Sequence, residues 1–278
     1  MDKIKKNKGQ ILTWIMLIIL ILLSFYPFYL LIIKSFKTIS DDQSNPFGFP
    51  KTIAYENYEF AWEIIKPYLL NSFFITFTVS IGIVIVSSFA AYAFSKFEFP
   101  YKNVVFYSII SLMMIPGIVT LTSQYDLINK LGLINNHFGV ILPSIAGSLP
   151  FGIFLLKTSF DGVEKEVIES ATIDGANSFQ VYFHIMIPFS KPILWTLLIT
   201  SAIGAWNDYL WPSLVLLKED LQTLPVGLVR FTDWYYNMAG GYGAPFAAYV
   251  ISSLPLLILF ALASKQFISG LTSGSIKM

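Results

Sequence analysis

The sequence predicts an all-α integral membrane protein with six membrane-spanning helices and a polar cytoplasmic loop between the fourth and the fifth. Three observations predict it. Hydrophobic residues make up 55% of the chain and charged residues only 13%, and the mean hydropathy of +0.65 exceeds what one soluble core of this length needs. Six runs reach the roughly 20 apolar residues with which a helix crosses a hydrocarbon core about 30 Å thick. One polar, helix-forming stretch, EVIESATIDGANSFQVYFHIMIPFSKP from Glu166 to Pro192, then separates two of those runs.

The spans are expected at Ile11 to Ile33, Leu69 to Phe94, Val104 to Ser123, Phe138 to Lys157, Ile193 to Leu217 and Ala247 to Gln266. Lys3, Lys5, Lys6 and Lys8 precede the first like the basic start of a signal peptide, but its apolar run is long and no small-x-small site follows, so it reads as an uncleaved span. The segment 35–68, with Pro46, Pro50 and Pro67 among aromatics, reads as a packed external cap. Pro116 and Gly117 in the third span, and Ser144 to Gly152 with Pro150 in the fourth, loosen their helices either for gating or for close packing. With both termini inside, eleven basic residues fall on the cytoplasmic side against seven outside, an excess clearest in the short loop holding Lys96 and Lys102. No tandem repeat is found, and the chain reads as one membrane domain, 1–278.

Composition also excludes function classes. Eighteen Lys and Arg against 17 Asp and Glu leave a net charge of +1, no footprint for nucleic acid. Cysteine is absent and the two histidines, His137 and His184, lie far apart, so neither a thiolate nor an imidazole metal site is expected. No phosphate-loop, G-x-S-x-G or H-E-x-x-H pattern occurs, so no catalytic residue and no cofactor is expected on this chain.

The polar loop, 158–192, reads as two short helices around a glycine. Asp161 and Glu164 have capping-box spacing for the first, which places Val163, Val167, Ile168 and Ala171 on one face. Asn177 and Gln180 have it for the second, with Phe179, Tyr182, Phe183 and Met186 at i, i+3, i+4 and i+7 and Pro188 as terminator. Gly175 offers a backbone free to take positive φ between the small residues Ala171 and Ala176. Periodicity alone permits an amphipathic connector on the membrane surface as readily as a docking knuckle.

The spacing Glu169-Ser170-Ala171, three residues, Gly175, nine residues, Ile185-Met186-Ile187-Pro188 resembles the E-A-A, three, G, nine, I-x-L-P signature of permease subunits of bacterial binding-protein-dependent ABC importers. Ser170 and Ile187 depart from it with residues of similar size or apolarity. WNDYLWP, Trp206 to Pro212, and FISGLTSGSIKM, Phe267 to Met278, resemble the carbohydrate-uptake branch that contains the second permease of the maltose transporter. The resemblance implies that the loop is a coupling helix, with Glu169, Ser170, Ala171, Asp174, Gly175, Ala176, Ile185, Ile187 and Pro188 docking a cytoplasmic ATPase. It further implies a bacterial inner-membrane heterodimer with a second homologous permease, two ATPase copies that bind ATP and Mg, and an extracytoplasmic sugar-binding protein. The tail from Gly270 to Met278 either frays or reaches between the ATPases.

Polar groups within spans are candidates for the solute path. Asp208 is the only acidic residue inside a span. Asn207, Asp208 and Trp211 can share a helix face beside Trp206 and offer a sugar a carboxylate, an amide and an indole face. The alternative role for Asp208 is to cap helix ends broken near Pro212, with the tryptophans as an interfacial belt. Gln124, Tyr125 and Asn71 have weaker claims. An ion-coupled secondary transporter or a channel is the alternative class; it predicts inverted repeats or several buried ionisable groups, which the sequence does not display.

Overall fold

A computed structural model describes the backbone of residues 2–273 and the side chains of residues 10–261. Every regular element among them is helical: α1 (Asp2–Ser35), α2 (Ile39–Ser44), α3 (Glu56–Lys96), α4 (Lys102–Ser111), α5 (Gly117–Lys130), α6 (Phe138–Asp161), α7 (Lys165–Ile173), α8 (Ser178–Val181), α9 (Ile187–Phe189), α10 (Lys191–Asn207), α11 (Leu210–Val215), α12 (Leu224–Ala239) and α13 (Gly243–Ser273). Four helices are long and apolar enough to cross a membrane, up to six if each of two bent pairs counts as one span. The protein is thus a multi-pass membrane chain. Lys277 and the rest of the tail beyond residue 273 lie outside the described residues.

Two expected spans differ from continuous helices. The third is α4 and α5, bent by 102°. Its cause is Pro116: the residue before a proline is driven out of the helical region, and Ile115 accordingly has ψ 116°. The fifth stops at Asn207, because Asp208 is extended at ψ 117°, and the chain restarts as α11. Pro212 sits in the first turn of α11, where a missing N–H costs little.

The backbone clusters into two units. The first comprises the chain up to Lys66 together with Leu228–Leu254. In it the apolar run of α1 stays exposed, with none of its most apolar window buried, a surface suited to lipid. The part of the expected external cap that lies in this unit is ordered. Fully buried Lys37 donates its ammonium to the Asn45 carbonyl, Asn57 donates to the Ser35 and Lys37 carbonyls at 2.9 Å each, and Lys34 pairs with Asp42 at 3.0 Å. The ammonium bond spans Lys37 to Asn45 and the Asn57 amide bonds two carbonyls of the chain leaving α1, so these contacts fix the turn after α1.

The second unit comprises Pro67–Gly227 and the chain from Pro255 onward. Its core runs from Ile75, Val79 and Ile83 of α3 through Val140, Leu156 and Phe160 of α6 to Tyr182, Met186 and Leu197. Pro143 inside α6 has no N–H for the carbonyl of Gly139, four residues back. The indole of Trp211 donates to that carbonyl at 3.1 Å instead, a bond that joins α11 to α6. Gly139 must lack a side chain there, since a Cβ would meet Leu133 O and Val215 Cγ1.

Candidate functional site

Two features of the second unit carry chemistry, a cavity and the polar loop. The cavity measures about 620 Å³. Its polar lining is Gln124 of α5, Ser144 and Ser148 of α6, Thr200 and Ser201 of α10, and Asp208. Phe151, Leu197 and Trp211 supply apolar wall, and Gly147 and Gly204 leave it open. An amide, a carboxylate and hydroxyls over aromatic surface match a ligand with many hydroxyls and apolar ring faces.

Of the residues expected along the path, Gln124, Asp208 and Trp211 converge on this cavity. The other four do not line it. Asn207 is exposed and donates to Ile203 O of its own helix at 2.9 Å. Trp206 is buried edge-on to Phe73, ring centroids 5.1 Å apart. Tyr125 packs against the core. Asn71 donates to the carbonyls of Asp220 and Gln222 at 2.9 and 3.0 Å, clasping the segment before α12. Asn207, Asp208 and Trp211 share no helix face, because the helix breaks at Asp208; Asp208 Oδ1 instead accepts from Trp211 N at 3.4 Å. Capping and cavity lining therefore coexist in one residue. Ser144, Ser148, Thr200 and Ser201 were not singled out from sequence as path residues, although Ser144, Ser148 and Phe151 stand at i, i+4 and i+7 and Thr200, Gly204 and Asp208 at i, i+4 and i+8.

The polar loop is a knuckle of defined geometry. After α7, Gly175 has φ +88°, its N–H bonds Thr172 O at 3.1 Å and Ala176 N–H bonds Ala171 O at 2.9 Å. That is the Schellman closure, in which a left-handed residue satisfies the last carbonyls of a helix. Its geometry accounts for the spacing from Ala171 to Gly175. The capping box at Asn177 and Gln180 forms as expected, with Asn177 Oδ1 accepting from Gln180 N at 3.0 Å and Asn177 N–H donating to Gln180 Oε1 at 2.8 Å. The first box does not form. Asp161 belongs to the last turn of α6, where it accepts from Ser95 and pairs with Lys157, at 2.7 and 2.6 Å, and Glu164 precedes α7 without a side-chain bond.

Tyr182 to Met186 wind as a π-helix between α8 and α9. Val181, Tyr182 and Met186 are buried while Phe179 and Phe183, expected inward, are exposed: Phe179 stands opposite Val181 in α8, and the wider turn displaces Phe183. Val167 of α7 is exposed too, whereas Val163 is buried and Ile168 and Ala171 pack on the core. Pro188 lies inside the turn α9, and the helix ends two residues later, at Ser190. Glu169, Ser170, Asp174 and Gly175 are exposed, Ala176, Ile185 and Ile187 half-buried, and Pro188 exposed. The buried side is bolted to two spans. Tyr182 OH bonds Ser88 Oγ at 2.7 Å and Tyr92 OH donates to Ser178 O at 2.9 Å, both from α3. Ser159 of α6 donates to Ser190 at 2.7 Å.

The chain is similar to known transport proteins over nearly its whole length. It is 34% identical to the probable ABC transporter permease protein YurM of Bacillus subtilis, over 97% of this chain and 89% of that one. It is 30% identical to the arabinooligosaccharides transport system permease protein AraQ of Halalkalibacterium halodurans, over 98% and 99%. Its fold matches a chain of a bacterial ABC transporter involved in import of the acidic polysaccharide alginate, with a TM-score of 0.83 at 23% identity over 95% and 98%. Residues 83–272, from α3 through the knuckle and cavity into α13, match the family described as binding-protein-dependent transport system inner membrane component. With the signature spacing realised as a Schellman-closed knuckle, the chain belongs to this family of ABC importer permeases.

Proposed function

We propose that the chain is one half of the translocation path of an ATP-driven oligosaccharide importer, paired with a second, homologous permease. An extracytoplasmic binding protein delivers the solute, and two copies of a separate cytoplasmic ATPase bind ATP and Mg and drive the cycle. The observation that carries this reading is the knuckle. Its exposed side bears Glu169, Ser170 and Asp174, and its buried side is hydrogen-bonded to α3 and α6, helices whose Val79, Ile83, Ser144 and Ser148 wall the cavity. A displacement of the docked ATPase is thereby delivered to the walls of the path as a rigid-body shift. Glu169 offers a basic residue of the ATPase a charge-assisted hydrogen bond. The oligosaccharide reading draws on the relatives named for such cargo and on the cavity's carboxylate, amide, hydroxyl and aromatic lining. Both termini lie in the cytoplasm on this reading, as does the knuckle. No observation favours the ion-coupled transporter or the channel.

Co-purification tests it: the chain, expressed with its native neighbours and extracted in mild detergent, is expected to bring down one different permease and two ATPase copies. Recovery of the chain only with itself, under conditions that preserve membrane complexes, would sink the proposal and turn attention to ATP-independent flux.

A further inference from the structure

The cavity presents more hydrogen-bond acceptors than free donors, which are the Gln124 amide and the Ser201 hydroxyl. Ser144 donates its hydroxyl hydrogen to Val140 O at 2.8 Å, Ser148 to Ser144 O at 2.9 Å and Thr200 to Thr196 O at 2.8 Å. What these three offer a ligand is therefore an oxygen lone pair. The Trp211 indole N–H is committed to Gly139 O. Asp208 adds an acceptor-only carboxylate and is the only charged residue in the lining. Gln124 contributes an amide.

We propose that this cavity selects uncharged, hydroxyl-rich glycans and discriminates against uronates, with Ser144, Ser148, Thr200 and Asp208 as the specificity-determining residues. The inference rests on the importer reading and deepens it. Sugar hydroxyls bring donors to a lining whose own donors are the Gln124 amide and the Ser201 hydroxyl. A ligand carboxylate brings only more acceptors and would face Asp208 with no cation among the described lining residues to offset the repulsion. The fold does not decide the matter, since a chain of the same architecture serves a transporter of an acidic polysaccharide.

The test uses the complete transporter, both permeases with the ATPase pair, purified in detergent and trapped with nucleotide. Equilibrium dialysis compares a neutral panel (maltotriose, raffinose, cellotriose and arabinotriose) with trigalacturonate at neutral pH. At least one neutral trisaccharide is expected to bind about tenfold or more tightly than trigalacturonate. Asp208→Asn keeps an oxygen for Trp211 N–H and removes the charge, so the gap should narrow by about tenfold. An added Cβ at Gly204 meets nothing within 4 Å, so Gly204→Leu places bulk in the cavity and should weaken the neutral ligand by about tenfold in a complex that still assembles. Trigalacturonate binding as tightly as the neutral panel, a gap unmoved by Asp208→Asn, or a Gly204→Leu complex of unchanged affinity would each overturn the charge selection while leaving the importer intact. An assembled complex that binds no sugar of either kind would overturn the oligosaccharide reading itself.

Discussion

Single residues of this chain settle problems that a neighbouring residue creates. Pro143 frees the carbonyl of Gly139 and Trp211 takes it, 72 positions away in sequence. Trp211→Phe should therefore leave a buried acceptor unmet and lower stability by about 1–3 kcal/mol. In a Pro143→Ala background, where residue 143 can donate to Gly139 itself, the same substitution should cost about 1 kcal/mol less. A double-mutant cycle of thermal unfolding of the detergent-solubilised complex checks it; additive losses would show that the indole bond is not tied to the proline. Gly175 is the second case. Its φ of +88° lies where an L-residue is strained by about 1–2 kcal/mol, while a Cβ there meets nothing within 4 Å. Gly175→Ala should thus disturb the knuckle without disturbing packing, so that the complex assembles but sugar uptake per ATP hydrolysed falls. Uptake and hydrolysis measured together in proteoliposomes decide it, and an unchanged ratio would release Gly175 from the coupling role.

At the scale of elements, the knuckle is the part most clearly written in local sequence. Asn177, Gln180 and Gly175 do what their residue types and spacing announce, because caps and Schellman turns are closed by atoms only a few residues apart. The faces of the loop helices were less legible. An i, i+3, i+4 count assumes an α-helical pitch, and the π-helix from Tyr182 to Met186 changes that pitch around Phe183, while Phe179, in α8 before it, lies on the side opposite buried Val181. Asp161 misled for a similar reason: its capping spacing competes with Lys157 and Ser95, which hold it in the end of α6. The anchoring of the knuckle gives a graded prediction. Tyr182→Phe removes the bond to Ser88 and should cost about 1 kcal/mol, whereas Tyr182→Ala also empties a buried site and should cost about 3–5 kcal/mol. ATPase activity should persist in both while transport falls in that order; equal transport in both variants would mean that the anchor transmits nothing.

For the whole molecule, the absence of cysteine makes topology directly measurable. Asn103→Cys, in the first turn of α4, and Tyr55→Cys, in the ordered cap before α3, both place a thiol on an exposed position. With cytoplasmic termini, a membrane-impermeant maleimide applied to intact cells should label Tyr55→Cys and spare Asn103→Cys until the membrane is opened. The reverse pattern would invert the assignment drawn from lysine counts.

The sequence by itself determined the membrane class, the apolar runs, the knuckle and the family signature, because each depends on hydropathy or on bonds between residues close along the chain. Tertiary structure alone decided which polar residues meet. Asn71, Asn207 and Asp208 are alike in sequence as polar residues in or beside apolar runs, yet Asn71 clasps a connecting segment, Asn207 bonds its own helix, and only Asp208 reaches the cavity. The serines of α6 joined it unannounced, since a hydroxyl every fourth residue looks the same whether it faces a packed neighbour or open space. The cavity exists because α10 breaks at Asp208 and α3, α5 and α6 pack around that break, a juxtaposition of groups far apart along the chain that no local pattern specifies.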